Sequence, residues 1–301
     1  MSRSTDLLLT ALAPAVWGST YYVTTEFLPP RYPVTVAALR ALPAGLLLLA
    51  LTRHLPPRDW LGRVFLLGAL NFPVFWCLLF VAAYRLPGGV AATLGSLQAL
   101  LVILLARGLL GAPVRAGAVL AALAGMAGVA ALVLGPEAAL DPLGLAAGIG
   151  GAASMALGTV LSRKWRPSVP PLTFTAWRLI AGGLLLLPMA LLLEPPLPPQ
   201  SGANLVGLLW LGLVGAAATY GLWFRGIGRI EPSAVSMPGM MSPVTAVLPG
   251  WILLGEALTL VQGAGATAIL LSVWAGQRAA HAPAALRTRA PGTGGAAPAG
   301  T

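Results

Sequence analysis

Charge is scarce in this chain. Of its 301 residues only 9% are Asp, Glu, Lys or Arg, against about 25% in an average soluble domain. So few charged side chains cannot cover a water-facing surface of this size. The 57% of residues that are hydrophobic must therefore face something other than water, and lipid is the candidate. Acids are the scarcer sign, eight against eighteen basic residues. A single cysteine, Cys77 within an apolar run, excludes an intrachain disulfide. Histidine occurs only as His54 and His281, both in polar flanks, so no Cys/His cluster exists to hold a metal, and neither a metal nor a cofactor is expected.

What is present is a succession of apolar runs, each near the roughly 20 residues that a spanning helix needs. Ten are expected, at about 7–27, 33–51, 64–84, 88–106, 116–134, 143–162, 171–193, 204–224, 233–254 and 260–277. The joints carry turn residues, as in Leu28-Pro29-Pro30-Arg31, Leu55-Pro56-Pro57-Arg58 and Glu194-Pro195-Pro196. The first run, with Arg3 before it and Ala11-Leu12-Ala13 inside it, has some look of a secretory signal. It continues through Trp17 to Phe27, however, and is read as an uncleaved first span. Residues 278–301, rich in Ala, Pro, Gly and Arg, read as a disordered cytoplasmic tail.

The net charge of +10 belongs to orientation and not to a nucleic-acid partner. With both termini placed in the cytoplasm, fourteen of the eighteen basic residues fall inside and only Arg31 and Arg85 outside; Arg40 and Arg178 lie within spans. Every loop pair obeys the positive-inside rule, and nucleic acid is left with no basic domain to bind. No span carries an acid at mid-depth, so the sequence offers no buried carboxylate for a proton relay.

An internal repeat is visible. Ala38-Leu39-Arg40 through Gly45 matches Ala176-Trp177-Arg178 through Gly183 at an offset of 138. Gly89-Val90-Ala91-Ala92 matches Ser233-Ala234-Val235-Ser236, and Leu110-Gly111-Ala112 matches Leu254-Gly255-Glu256, at an offset of 144. Five spans per half is an odd number, so the second half must enter the membrane in the opposite sense. Inverted repeats of this kind are a transporter architecture, with the substrate path between the halves. The expected fold is therefore all-α integral membrane, ten transmembrane helices as two inverted five-helix repeats over 7–134 and 143–277.

At these residues the chain resembles a known family. Trp17-Gly18-Ser19-Thr20, the Arg40 and Arg178 helices, and the stretch from Ser233 through Ser242-Pro243 to Leu253-Leu254-Gly255-Glu256 resemble the EamA family of the drug/metabolite transporter superfamily. The resemblance covers roughly residues 7–277. It implies export of amino acids or other small metabolites across a bacterial inner membrane. The first repeat departs from the pattern: Gln98-Ala99 stands where Ser242-Pro243 stands in the second, and Ala112 where Glu256 does. The Trp17-to-Pro30 stretch also looks like the indigoidine-type pigment exporters.

Several residues are candidates for a substrate path. Trp17, Thr20 and Tyr21 share a face of the first span with Thr24. Trp17 lies roughly 15 Å deep at 1.5 Å per residue, too deep for a headgroup anchor. Asn71 before Pro73 suggests a bent third span with an inward amide, or else a helix–helix hydrogen bond. Gln98 and Ser242 hold matching mid-span places in the two halves. Pro238, Gly239 and Pro243 should break the ninth span around Met240 and Met241, freeing backbone carbonyls. Tyr220 and Trp223 divide between path and interface. Arg40 and Arg178, each roughly 10 Å below a membrane face, are functional candidates by default. Each either attracts a substrate carboxylate or bonds to neighbouring carbonyls and sets the packing of its repeat. The second role is favoured, with Glu26 and Glu231 as the available acidic partners. Gly144, Gly148, Ala152 and Ala156, and Ala264, Ala268, Ser272 and Gly276, recur every four residues and mark close helix packing.

A membrane enzyme acting on lipid would want convergent His, Asp or Glu near one face. A channel would want charged rings or a carbonyl filter. Neither pattern is present, so the expected activity is transport of a small molecule by alternating access.

Overall fold

The computed structural model describes residues 3–86, 88–133, 141–253 and 259–281. Among these every regular element is helical. The first half holds α1 (Arg3–Phe27), α2 (Pro33–Thr52), α3 (Leu61–Asn71), α4 (Pro73–Arg85), α5 (Gly88–Leu110) and α6 (Ala116–Val133). The second holds α7 (Pro142–Lys164), α8 (Pro171–Leu193), α9 (Gly202–Leu209), α10 (Thr219–Arg229), α11 (Pro232–Ser236), α12 (Met241–Leu253) and α13 (Leu260–His281). A π-helical stretch, Trp210–Ala218, joins α9 to α10, and a 3-10 turn, Met237–Met240, joins α11 to α12.

Proline marks the helix starts. Five helices, α2, α4, α7, α8 and α11, open with it, where its fixed φ suits the first turn and its missing N–H costs nothing. Proline also makes the two interruptions. α3 stops at Phe72, whose backbone (φ −126°, ψ −86°) leaves the helix before Pro73 starts α4. Pro238 lies inside the 3-10 turn that divides the ninth apolar run.

Seven helical stretches among the described residues are long and apolar enough to cross a bilayer: Pro33–Thr52, Arg58–Ala83, Val90–Leu110, Ala116–Val133, Pro142–Lys164, Pro171–Leu193 and Gly202–Arg229. Their outward faces are apolar. Leu191, Leu192 and Leu193 at the end of α8 are 75%, 84% and 68% accessible, which suits lipid and not water. α13 runs to His281, past the expected end at 277, because Arg278 folds back over the Trp274 ring at 3.9 Å and Ala280 is buried. Residues 282–301 of the expected tail, and the Leu254-Gly255-Glu256 motif, lie outside the described residues.

Lipid-embedded helices gain little from the hydrophobic effect on meeting one another, so close approach through small residues holds them. Two seams show this. Where α2 crosses α8, a Cβ on Gly45 would stand 2.7 Å from the Ile180 nitrogen, and one on Gly183 would stand 2.6 Å from Leu42 Cβ. Where α6 crosses α13, a Cβ on Gly128 would stand 3.0 Å from the Ile269 nitrogen, and one on Gly265 would stand 2.6 Å from the Leu132 nitrogen. Both contacts are reciprocal. Gly45 and Leu42 precede Gly183 and Ile180 by the same 138 positions. Gly128 and Leu132 precede Gly265 and Ile269 by the same 137. The remaining helices follow suit: α1 lies against α10 and α12, and α7 lies against α4 and α5. The small-residue rows also sit at contacts, Gly144 on Leu86, Gly148 on Leu94, Ser272 on Gly125 and Gly276 on Met237.

Candidate functional site

An aromatic cluster fills the centre of the larger core, where α1, α2, α4, α8 and α10 meet. Its members arise from pairs one helical turn apart, Phe72 with Trp76 on α4 and its start, and Tyr220 with Phe224 on α10. Phe72 and Trp76 are 5.4 Å apart centroid to centroid, and Tyr220 and Phe224 stack at 5.8 Å. Phe72 meets Tyr220 edge-on at 5.0 Å, which joins the two pairs across the core. Trp17, from α1, adds its ring at 5.0 Å from Tyr220 and 5.4 Å from Trp223. Trp17 is only half-buried, while Phe72, Tyr220 and Trp223 are buried.

The two intramembrane arginines stand at opposite ends of this cluster. The Arg40 guanidinium lies 5.6 Å from the Trp76 ring, and its Nη2 donates to the Gly215 carbonyl at 2.6 Å. The Arg178 guanidinium lies 4.1 Å from Phe174 and 3.4 Å from Phe224. Arg178 Nε donates to the Phe174 carbonyl at 3.1 Å and its Nη1 to Ser162 Oγ at 2.8 Å. Neither arginine takes part in an ion pair among the described residues. Glu26, the expected partner of Arg40, is exposed, and Glu231 pairs with Arg115. Carbonyl oxygens, a hydroxyl and ring faces take the place of carboxylates, a pairing that keeps the charge without burying an opposite one.

The π-helical stretch supplies the carbonyl. The Thr219 amide bonds to the Val214 and Ala216 carbonyls. The Gly215 carbonyl between them accepts from Arg40 and from Thr219 Oγ1, the latter at 2.8 Å. Thr219 Oγ1 in turn accepts from Trp17 Nε1 at 3.0 Å. A continuous relay therefore runs from Trp17 on α1 through Thr219 and Gly215 to Arg40 on α2. Two buried donors at the cluster, Arg40 Nε and Trp223 Nε1, have no hydrogen-bond partner among the described residues.

The other sequence candidates are scattered. Thr20 is half-buried on α1. Tyr21's side chain lies outside the described residues. Asn71 is fully buried, its Nδ2 donating to the Leu67 carbonyl at 2.7 Å and its amide facing Gly158 of α7, a helix-packing position. Met240 is buried in the second core with Met237, Ala99 and Ile269, against Gly125 of α6, and does not meet the aromatic cluster. Gln98 is half-buried on α5. Ser242 and Pro243 are half-buried in α12, and the Ser242 carbonyl is one of the backbone atoms on which Gly18 of α1 rests. A Cβ on Gly18 would fall 2.0 Å from Thr245 Oγ1 and 2.6 Å from the Ala246 nitrogen, so only glycine fits there. Sequence reading missed Thr219, Gly215, Phe72, Trp76 and Phe224. The four-residue spacing of Phe72 with Trp76 and of Tyr220 with Phe224 was the available signal.

A lipid-facing helical bundle with an aromatic, arginine-flanked interior is the architecture of a polytopic membrane protein. The family comparison makes this specific. The EamA-like transporter family matches residues 5–134 and again 142–275, and the chain belongs to that family, of the drug/metabolite transporter type. Protein PecM of Dickeya dadantii (strain 3937) is 48% identical over 255 residues, which span 84% of this chain and 86% of that protein. The uncharacterized inner membrane transporter YedA of Escherichia coli (strain K12) is 29% identical over 265 residues, 86% of each chain. A solved crystal structure shares the fold with a TM-score of 0.81 at 22% identity, covering 93% of this chain and 98% of the other.

Proposed function

We propose that this transporter exports amino acids or related small metabolites from the cell by alternating access, with the substrate held at the aromatic cluster. In this reading α1, the α11–α12 pair and α13 join the seven apolar stretches to make ten spans. These form two inverted repeats, 7–134 and 143–277, with both termini cytoplasmic. The reciprocal glycine contacts support the repeat, because a contact from i to j matched by one from j to i is what a two-fold axis produces. The fourteen-to-two division of basic residues supports the orientation.

The observation that carries the functional reading is the pair of buried donors at the aromatic cluster, Arg40 Nε and Trp223 Nε1, that no described residue satisfies. A buried donor is costly unless a partner arrives. A substrate with acceptor oxygens and an apolar body satisfies both donors and stacks on Trp17 and Tyr220. Thr20, Gln98 and Ser242 remain candidates for the path to and from the cluster, and Pro243 and Arg178 serve gating and packing.

The test is counterflow in proteoliposomes loaded with amino-acid mixtures, comparing wild type with Trp17→Ala. Saturable exchange competed by unlabelled substrate, and lost in Trp17→Ala at undiminished folded yield, is expected. Unsaturable flux, or full activity in the variant, refutes the assignment.

A further inference from the structure

A groove of about 500 Å³ opens on the lipid-facing surface between the last turns of α2, the start of α8 and the α10 stretch. The small residues Ala217, Ala218 and Gly221 leave it open, and leucines such as Leu51 and Leu213 wall it. Both of these leucines are exposed. Its other end is charged. Arg225 and Arg229 line it, and both turn to one carboxylate, Asp6 of α1: Oδ1 accepts from Arg225 Nη2 at 2.6 Å and lies 3.5 Å from Arg229 Nη1. One acid thus faces two guanidiniums, and the outer one, Arg229, is 44% exposed. Arg166 adds a third close by, donating to the Gly228 carbonyl at 3.0 Å.

An apolar slot with a net positive charge at one end matches one class of molecule. We infer that this groove binds an anionic phospholipid, with an acyl chain along the leucines and the headgroup phosphate on Arg229. The depth agrees. Leu51 is in the last turn of α2 and Arg229 ends α10, so the charge sits where a span meets the headgroups. A zwitterionic lipid offers the same chain but brings its own cation to this basic rim, so the anionic headgroup is preferred. The groove lies on the outside of the bundle, and binding there does not depend on what is transported. That the lipid belongs to the cytoplasmic leaflet rests on the orientation proposed above; the binding does not.

The experiment is native mass spectrometry of the purified, delipidated full chain titrated with phosphatidylglycerol or phosphatidylcholine. Wild type is expected to retain phosphatidylglycerol preferentially. Arg229→Gln lowers that preference about fivefold, the effect of one basic residue at a membrane surface. Asp6→Asn, which removes the competing carboxylate, raises it. Ala218→Phe, which fills the slot, lowers retention of both lipids. Arg58→Gln, at an exposed arginine before α3 that does not line the groove, leaves the preference unchanged. Equal retention of the two lipids by wild type, an unchanged preference in Arg229→Gln and Asp6→Asn alike, or a lipid-free dimer as the bound species would each overturn the proposal. Because the readout is lipid retention, a protein that fails to transport amino acids can still pass this test, and the converse holds too.

Discussion

Adding one methyl group at either glycine of the α2–α8 seam tests whether the two helices are held by a single shared contact. In Gly45→Ala the new Cβ stands 2.7 Å from the Ile180 nitrogen and 3.0 Å from Leu179 Cβ. In Gly183→Ala it stands 2.6, 2.8 and 2.9 Å from Leu42 Cβ, Cα and nitrogen. Backbone atoms cannot swing aside, so α2 and α8 must part by about 1 Å to restore ordinary contact near 3.5–4.0 Å. Overpacking of this kind costs about 1–3 kcal/mol per site. The same parting relieves both methyl groups, so the double variant should cost less than the two singles together, with a coupling of about 1 kcal/mol or more. The assay is apparent melting temperature in detergent at one scan rate for all four proteins, since unfolding of such a protein is treated kinetically. Gly62→Ala, with nothing within 4 Å of its new Cβ, is the control and should melt with wild type. Single variants that melt with wild type, or a double whose loss equals the sum of the singles, would refute the reasoning.

Three further outcomes are expected. Thr219→Val keeps the shape of the side chain but removes the acceptor for Trp17 and a donor to Gly215; counterflow should fall several-fold, about 1 kcal/mol per lost hydrogen bond, while folded yield holds. Arg40→Lys keeps the charge and loses the planar fork that reaches Gly215 and lies over Trp76, so activity should drop with folding retained; equal activity on carboxylate and neutral substrates alike would mark Arg40 as structural only. In a Cys77→Ala background, single cysteines at residues 194–203 should react with an impermeant thiol reagent from outside and cysteines at 163–166 should not; the reverse pattern removes the proposed orientation.

Much of the architecture was legible because the membrane simplifies the problem. A backbone in lipid must pair its own polar groups, as a helix does. Apolar run length located seven of the ten expected spans as helices long and apolar enough to cross among the described residues. Proline announced the breaks at Pro73 and Pro238, while its place at the helix starts Pro33, Pro142 and Pro171 emerges only in the structure. The Arg40 and Arg178 match pointed to helices that the fold does pack together. Facing was harder. A helix apolar all round carries no stripe to say which side is inward, since lipid and protein interior look alike to a leucine. Hence sequence alone singles out neither Phe72 nor Trp76, and it does not show that Met240 packs on Gly125. The π-helical stretch at Trp210–Ala218 holds no proline, and its Gly212 and Gly215 do not by themselves announce a π-helix; only the Arg40–Gly215 bond shows what it does. Gly18 read as part of a motif, but its cause is the backbone of α12 less than 3 Å from where a side chain would start.

The two arginines match in sequence and differ in surroundings, and that difference bears on how the repeats divide their work. Arg178 is closed in: Nε and Nη1 both donate within the protein, and two rings cover its guanidinium within about 4 Å. Among the described residues Arg40 has one donated bond, a more distant ring and a buried Nε with no partner. Placing a guanidinium in a bundle is expensive in proportion to the donors left unmet. Arg178 recovers most of that cost from fixed groups, which suits a residue that holds α7 and α8 together. Arg40 recovers less, and its one fixed bond is to a carbonyl exposed by a π-helical turn, a segment less regular than the helices beside it. In the proposed function an arriving carboxylate supplies what Arg40 lacks and, through Gly215 and Thr219, is felt at Trp17 on α1. On that proposal, sequence symmetry between the halves coexists with unequal roles: Arg178 is a fixed strut, and Arg40 is a partner in waiting, joined through Gly215 and Thr219 to α1.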